Sequence, residues 1–94
     1  MIQIIGRRWL DKSAGNTYHS VKVYQDNQFI AREDFAYDYD DQYIQTAFAL
    51  LQKARVYPTT IDKSKDYYNF RMEIRENRGN FLISYSDVGR KKDL

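Results

Sequence analysis

Thr17-Tyr18-His19-Ser20-Val21-Lys22-Val23-Tyr24, then Asp26-Asn27, then Gln28-Phe29-Ile30-Ala31-Arg32-Glu33-Asp34-Phe35 is the stretch that decides the fold. The first segment alternates: His19, Val21 and Val23 point one way, and Tyr18, Ser20, Lys22 and Tyr24 the other. Alternation with period two and β-branched residues marks a strand with one buried side. Asp and Asn both tolerate positive φ, so Asp26-Asn27 predicts a tight hairpin turn. Residues 28–35 then return as its partner strand. Outward from this hairpin, Ile2-Gln3-Ile4-Ile5-Gly6-Arg7-Arg8-Trp9 reads as another strand, joined through the turn-forming loop Asp11 to Asn16.

The pattern changes after residue 37. Ile44, Ala47, Phe48, Leu51 and Ala54 recur at helical spacing, which predicts one helix with a single buried stripe. Asp38, Asp40 and Asp41 precede it, while Lys53 and Arg55 close it, as the helix dipole favours. Pro58 limits its reach. Tyr68, Phe70, Met72 and Ile74 alternate with Tyr67, Asn69, Arg71, Glu73 and Arg75, so residues 67–75 read as a fourth strand. A turn over Glu76 to Asn80, with Gly79 as its left-handed residue, leads to a fifth strand over 81–86. The expected fold is α+β: a mostly antiparallel sheet of about five strands, in the order β-β-β-α-β-β, with the helix packed on one face. Residues 1–88 form one domain and 89–94 a loose basic tail. The expected core is Ile4, Val21, Val23, Ile44, Phe48, Leu51, Phe70, Met72, Ile74, Phe81 and Ile83.

Composition narrows the function classes. The chain has 94 residues, no Cys, one His and one Pro. That size suits a single small domain. Without Cys there is no disulfide framework, zinc ribbon or thiol nucleophile. No segment approaches the ~18 apolar residues of a membrane span, and the first residues carry no signal region, so no membrane association and a cytoplasmic location are expected. Net charge is only +2, but residues 48–94 hold ten basic and six acidic side chains. Such a weak basic excess disfavours duplex binding. There is no Gly-rich phosphate loop, nucleophile elbow or helical His pair, so neither an enzyme nor a cofactor is expected. His19 shares a strand face with Val21 and Val23 and reads as a core histidine. The Asp38, Asp40 and Asp41 cluster lacks the turn glycine and distal Glu of a calcium loop. It reads as a helix cap, and no metal site is expected.

The surplus of aromatic residues, nine Tyr, five Phe and one Trp, is what points to binding. A single helix covers only one sheet face. The other would present Tyr18, Lys22 and Tyr24 beside Tyr67, Arg71 and Arg75. Tyr and Arg are the residues of protein interface hot spots, so the first expectation is a protein partner, a second copy of the chain included. Aromatic rings interleaved with cations also suit single-stranded nucleic acid. In that alternative the end clusters Arg7, Arg8, Arg90, Lys91 and Lys92 would hold phosphates, merging if the first and last strands are neighbours. The plain alternative is a solvated sheet face.

Gly6-Arg7-Arg8-Trp9 followed by Gly15-Asn16-Thr17-Tyr18-His19-Ser20-Val21, together with Asp41-Gln42-Tyr43-Ile44-Gln45-Thr46-Ala47, resembles small uncharacterised proteins of phages and prophages. The segments cover about a third of the chain. The resemblance implies no catalytic residues. It implies a host-cell cytoplasmic setting and an accessory or host-directed, inhibitor-like role exercised by binding.

Overall fold

The computed structural model describes residues 1–37, 42–76 and 81–94. Three strands come first: β1 (Ile2–Asp11), β2 (Asn16–Gln25) and β3 (Gln28–Tyr37). Two helices follow, α1 (Gln42–Lys53) and α2 (Lys63–Arg75), then β4 (Phe81–Val88) and a 3₁₀ turn over Lys91–Asp93. The hairpin turn is as expected, with Asp26 and Asn27 at φ 50° and 67°.

The four strands lie in the order β3-β2-β1-β4. β1–β2 and β2–β3 are antiparallel, whereas β4 runs parallel to β1. The sheet is therefore mixed. It has four strands where about five were expected, and two helices where one was expected. The difference lies in residues 67–75, which belong to α2 and not to a strand. Asp62 caps that helix by accepting the Lys65 N–H at 3.0 Å. Thr60 donates both its N–H and its hydroxyl to Asp66, at 2.7 and 2.6 Å. These bonds satisfy polar groups at the helix start. β4 takes the same direction as β1 and β3, which a long helical crossover through α1 and α2 permits and a tight hairpin would not.

α1 buries Ile44, Ala47, Phe48 and Leu51, the stripe its sequence predicts, and it ends where Arg55 turns left-handed at φ 63°. The stripe meets Ile2 and Ile4 of β1, Val21 and Val23 of β2, and Phe70 of α2 in one buried cluster. Phe70 stacks on Phe48 with centroids 4.6 Å apart and touches Phe81 edge-on at 5.7 Å. Ile74, Phe81 and Ile83 pack at its margin. Met72 is half-buried and lines a groove. His19 is fully buried, as expected, and its Nε2 lies 2.8 Å from the Thr46 hydroxyl. Asp38, Asp40, Asp41 and the turn residue Gly79 lie outside the described residues.

Gly6, midway along β1, makes room for rings from α1 and β4. A Cβ there would stand 2.6 Å from Tyr85 Cδ1 and 3.0 Å from Tyr43 Cδ2. With no side chain in the way, the Tyr43 and Tyr85 rings stack over the strand at 4.0 Å, only 10° from parallel.

Candidate aromatic face of the sheet

Both helices pack on one side of the sheet, and the strand alternation sends Trp9, Tyr18, Lys22 and Tyr24 to the other. Two irregularities in β3 shape this open face. His19 pairs Ala36 while Val21 pairs Glu33, and Val23 pairs Ala31 while Tyr24 pairs Phe29. Each shift places one extra residue in β3, a bulge that re-aims neighbouring side chains. The residues between the two shifts exchange faces, so Ala31 and Glu33 turn to the helix side and Arg32 to the open side. The second shift restores the alternation, so Ala36 lies on the helix side with Thr46 and Lys53, and Phe35 and Tyr37 join Tyr18 on the open side.

The result is a packed row of rings. Trp9 stacks on Tyr18 at 5.9 Å, Tyr18 on Phe35 at 4.3 Å, and Tyr18 on Tyr37 at 5.1 Å, all within 30° of parallel. Phe35 and Tyr37 remain 40% and 56% exposed. A hydrogen bond with the Tyr18 side chain raises the pKa of the Tyr37 phenol. At the other end of the same face, Tyr24 meets Phe29 edge-on at 5.7 Å. Between the two groups stand Lys22 and its cross-strand neighbour Arg32, the latter 3.2 Å from Asp34. Arg7 lies on β1 opposite Ser20.

The C-terminal segment folds back onto this face and is not a loose tail. Arg7 donates to the Asp93 carbonyl at 3.1 Å. Lys91 Nζ sits 4.8 Å over the Phe35 ring, a cation–π contact. Arg90 bonds Asp93 at 3.3 Å. Neighbouring β1 and β4 thus bring Arg7 together with Arg90 and Lys91. Arg8 does not join them. Adjacent residues of a strand face opposite sides, and Arg8 binds Asp87 at 2.7 Å and stands over Tyr85 on the helix side. Its guanidinium holds the Asp87 carboxyl below the usual range.

Three of the expected face residues lie elsewhere, because their segment is a helix. Tyr67 is half-buried against Phe48 at 5.8 Å. Arg71 and Arg75 line a groove of about 450 Å³ with Tyr43, Tyr68, Met72 and Ile83. So the structure brings Tyr18, Lys22 and Tyr24 together but separates them from Tyr67, Arg71 and Arg75. The residues that complete the open face are Trp9, Phe29, Arg32, Phe35 and Tyr37. Trp9, Phe35 and Tyr37 are visible by simple alternation of β1 and β3, whereas Arg32 reaches the face through a bulge. Among the described residues no cluster of His, Asp or Glu is arranged to hold a metal ion, and no helix is long and apolar enough to cross a membrane.

The ring row sets limits on what the face can do. Rings stacked on one another have their faces occupied. Tyr18 is sandwiched between Trp9 and Phe35, and Phe35 is capped by Lys91. Comparison of the chain with protein-family models, with curated proteins and with solved structures finds no match.

Proposed function

We propose that this chain is a small non-enzymatic protein-binding module whose contact surface is the open sheet face. The observation that carries the reading is the row Trp9, Tyr18, Phe35 and Tyr37. It is apolar and pre-stacked, so little side-chain entropy is lost on contact. Arg7, Lys22 and Arg32 form a polar, mainly basic rim around it, the anatomy of an interface centre with its surround. Within the phage-like setting that the sequence resembles, the partner is a host protein with acidic groups around an apolar patch, and binding acts by occupying its surface.

The test is affinity capture from host lysate with three forms of the chain: wild type, F35A/Y37A, and Y68A on the exposed outer side of α2. A protein retained by wild type and Y68A but lost with F35A/Y37A is the expected result. Retention by all three forms removes the face assignment. The basic rim supports a second reading, single-stranded nucleic acid along Arg7, Lys22, Arg32 and Lys91. That reading requires affinity for short DNA or RNA that falls steeply as salt rises. Anisotropy at low and physiological salt separates the two.

A further inference from the structure

We infer that a second copy of this chain pairs with β4, strand to strand, so that two four-stranded sheets join into one. The inference stands apart from the open-face reading and concerns the edge of the sheet. Each edge strand carries outward N–H and C=O groups that a further strand can satisfy. The two edges of this sheet are built differently. β3 has two register shifts and carries Arg32, Glu33 and Asp34 in succession. Bulges and charges of this kind block edge-to-edge pairing. β4 has neither protection. Its eight residues, Phe81 to Val88, pair with β1 in unbroken register. They include no Pro, Lys or Arg, and Asp87 is their single charge. That charge is already held by Arg8. Among the described residues no strand lies on the outer side of β4.

Self-complementarity singles out a second copy as occupant. An antiparallel pair about a two-fold axis normal to the sheet keeps both helix layers on one side, and it needs a residue at its centre. Centred on Ser84, it opposes Ser84 to Ser84, Leu82 to Ser86 and Ile83 to Tyr85. The residue that meets its own image is small, uncharged and exposed. The adjacent pair on the helix side is β-branched against aromatic, a favourable cross-strand combination. The same operation on β3 about its middle would set Arg32 or Glu33 against itself, and like charges directly opposed destabilise a sheet. The helix side of β4 is also incompletely covered. The groove bounded by Tyr43, Tyr68, Arg71, Met72 and Arg75 has Ile83 as its one strand residue, so an added strand would cover apolar surface there.

The chain has no Cys, which makes a cysteine scan specific. Opposed residues in an antiparallel pair have Cα atoms about 4.5–5.5 Å apart, within disulfide reach. S84C should form a covalent dimer on mild oxidation. S86C should not, because its two copies would lie about 14 Å apart in this register. Light scattering on the unmodified chain should give twice the chain mass. S84K should raise the dimer dissociation constant about tenfold by opposing two cations, and F35A/Y37A should leave it unchanged. A monomer at every accessible concentration overturns the inference. So does cross-linking by S86C as readily as by S84C, and so does loss of the dimer in F35A/Y37A, which would place the contact on the open face.

Discussion

Two residues near the sheet centre set the tightest local constraints. Gly6 is needed for space and not for conformation. Gly6→Ala would push a methyl into the Tyr43–Tyr85 stack, and overpacking of this kind costs about 1–3 kcal/mol. Urea unfolding of the variant should show that loss, and an unchanged midpoint would mean the rings move aside freely. His19 illustrates the opposite case, a polar ring enclosed by Val21, Val23 and α1. Its Nε2 bond to Thr46 spans the sheet–helix boundary. Thr46→Val keeps the volume and removes the hydroxyl, leaving a buried ring nitrogen without that bond. The expected cost is about 1–3 kcal/mol, measured by thermal or urea unfolding. Thr46→Ser keeps the hydroxyl and should recover most of it.

At the scale of elements, α2 depends on the polar cluster before it. Thr60 holds the Asp66 carboxyl below its ordinary value of 3.8. A carboxylate with a depressed folded pKa adds stability that is complete above the unfolded value. That contribution fades as pH falls through the folded one. The melting temperature should therefore fall on acidification below about pH 4, and D66N should flatten that part of the profile. Asp62→Ala removes the cap and should cost about 1 kcal/mol, seen as loss of helical circular dichroism on mild heating. The same element explains where sequence reading fell short. Tyr67, Phe70 and Ile74 are spaced i, i+3, i+7 as a helix requires, yet Tyr68, Phe70, Met72 and Ile74 also alternate as a strand would. Aromatic and β-branched residues favoured the strand. The deciding signal was local and polar, Asp62 three residues before Lys65, and thirteen helical residues are long for one strand. By contrast β1, β2, β3, α1 and the last strand were legible, because each carries one periodicity and clear turn residues at its ends. The parallel β1–β4 pairing was not, since alternation looks alike in both directions.

For the whole molecule, the central consequence of the topology is asymmetry: two helices on one side, a ring row on the other. Half of that row was legible. Tyr18 was placed there by the alternation of β2 and Trp9 follows from that of β1; Phe35 and Tyr37 obey the same alternation in β3 but were not set beside them, and Arg32 reaches the face only through a bulge that no residue type announces. If the row is a protein contact, short single-stranded DNA should show no binding that collapses between low and physiological salt. Steep salt-dependent binding would favour phosphate recognition along the basic rim. Orientation at a surface follows from the two chain ends. The Met1 ammonium is held by Asp26 at 2.8 Å, beside the β2–β3 turn. The other end, through Asp93 and Lys91, rests on Arg7 and Phe35. Anything fused after Leu94 therefore emerges across the rings, while a handle before Met1 leaves seven paired positions away along β1, about 24 Å. A chain tethered to a sensor chip by its first residue presents the ring row outward, and one tethered by its last residue hides it.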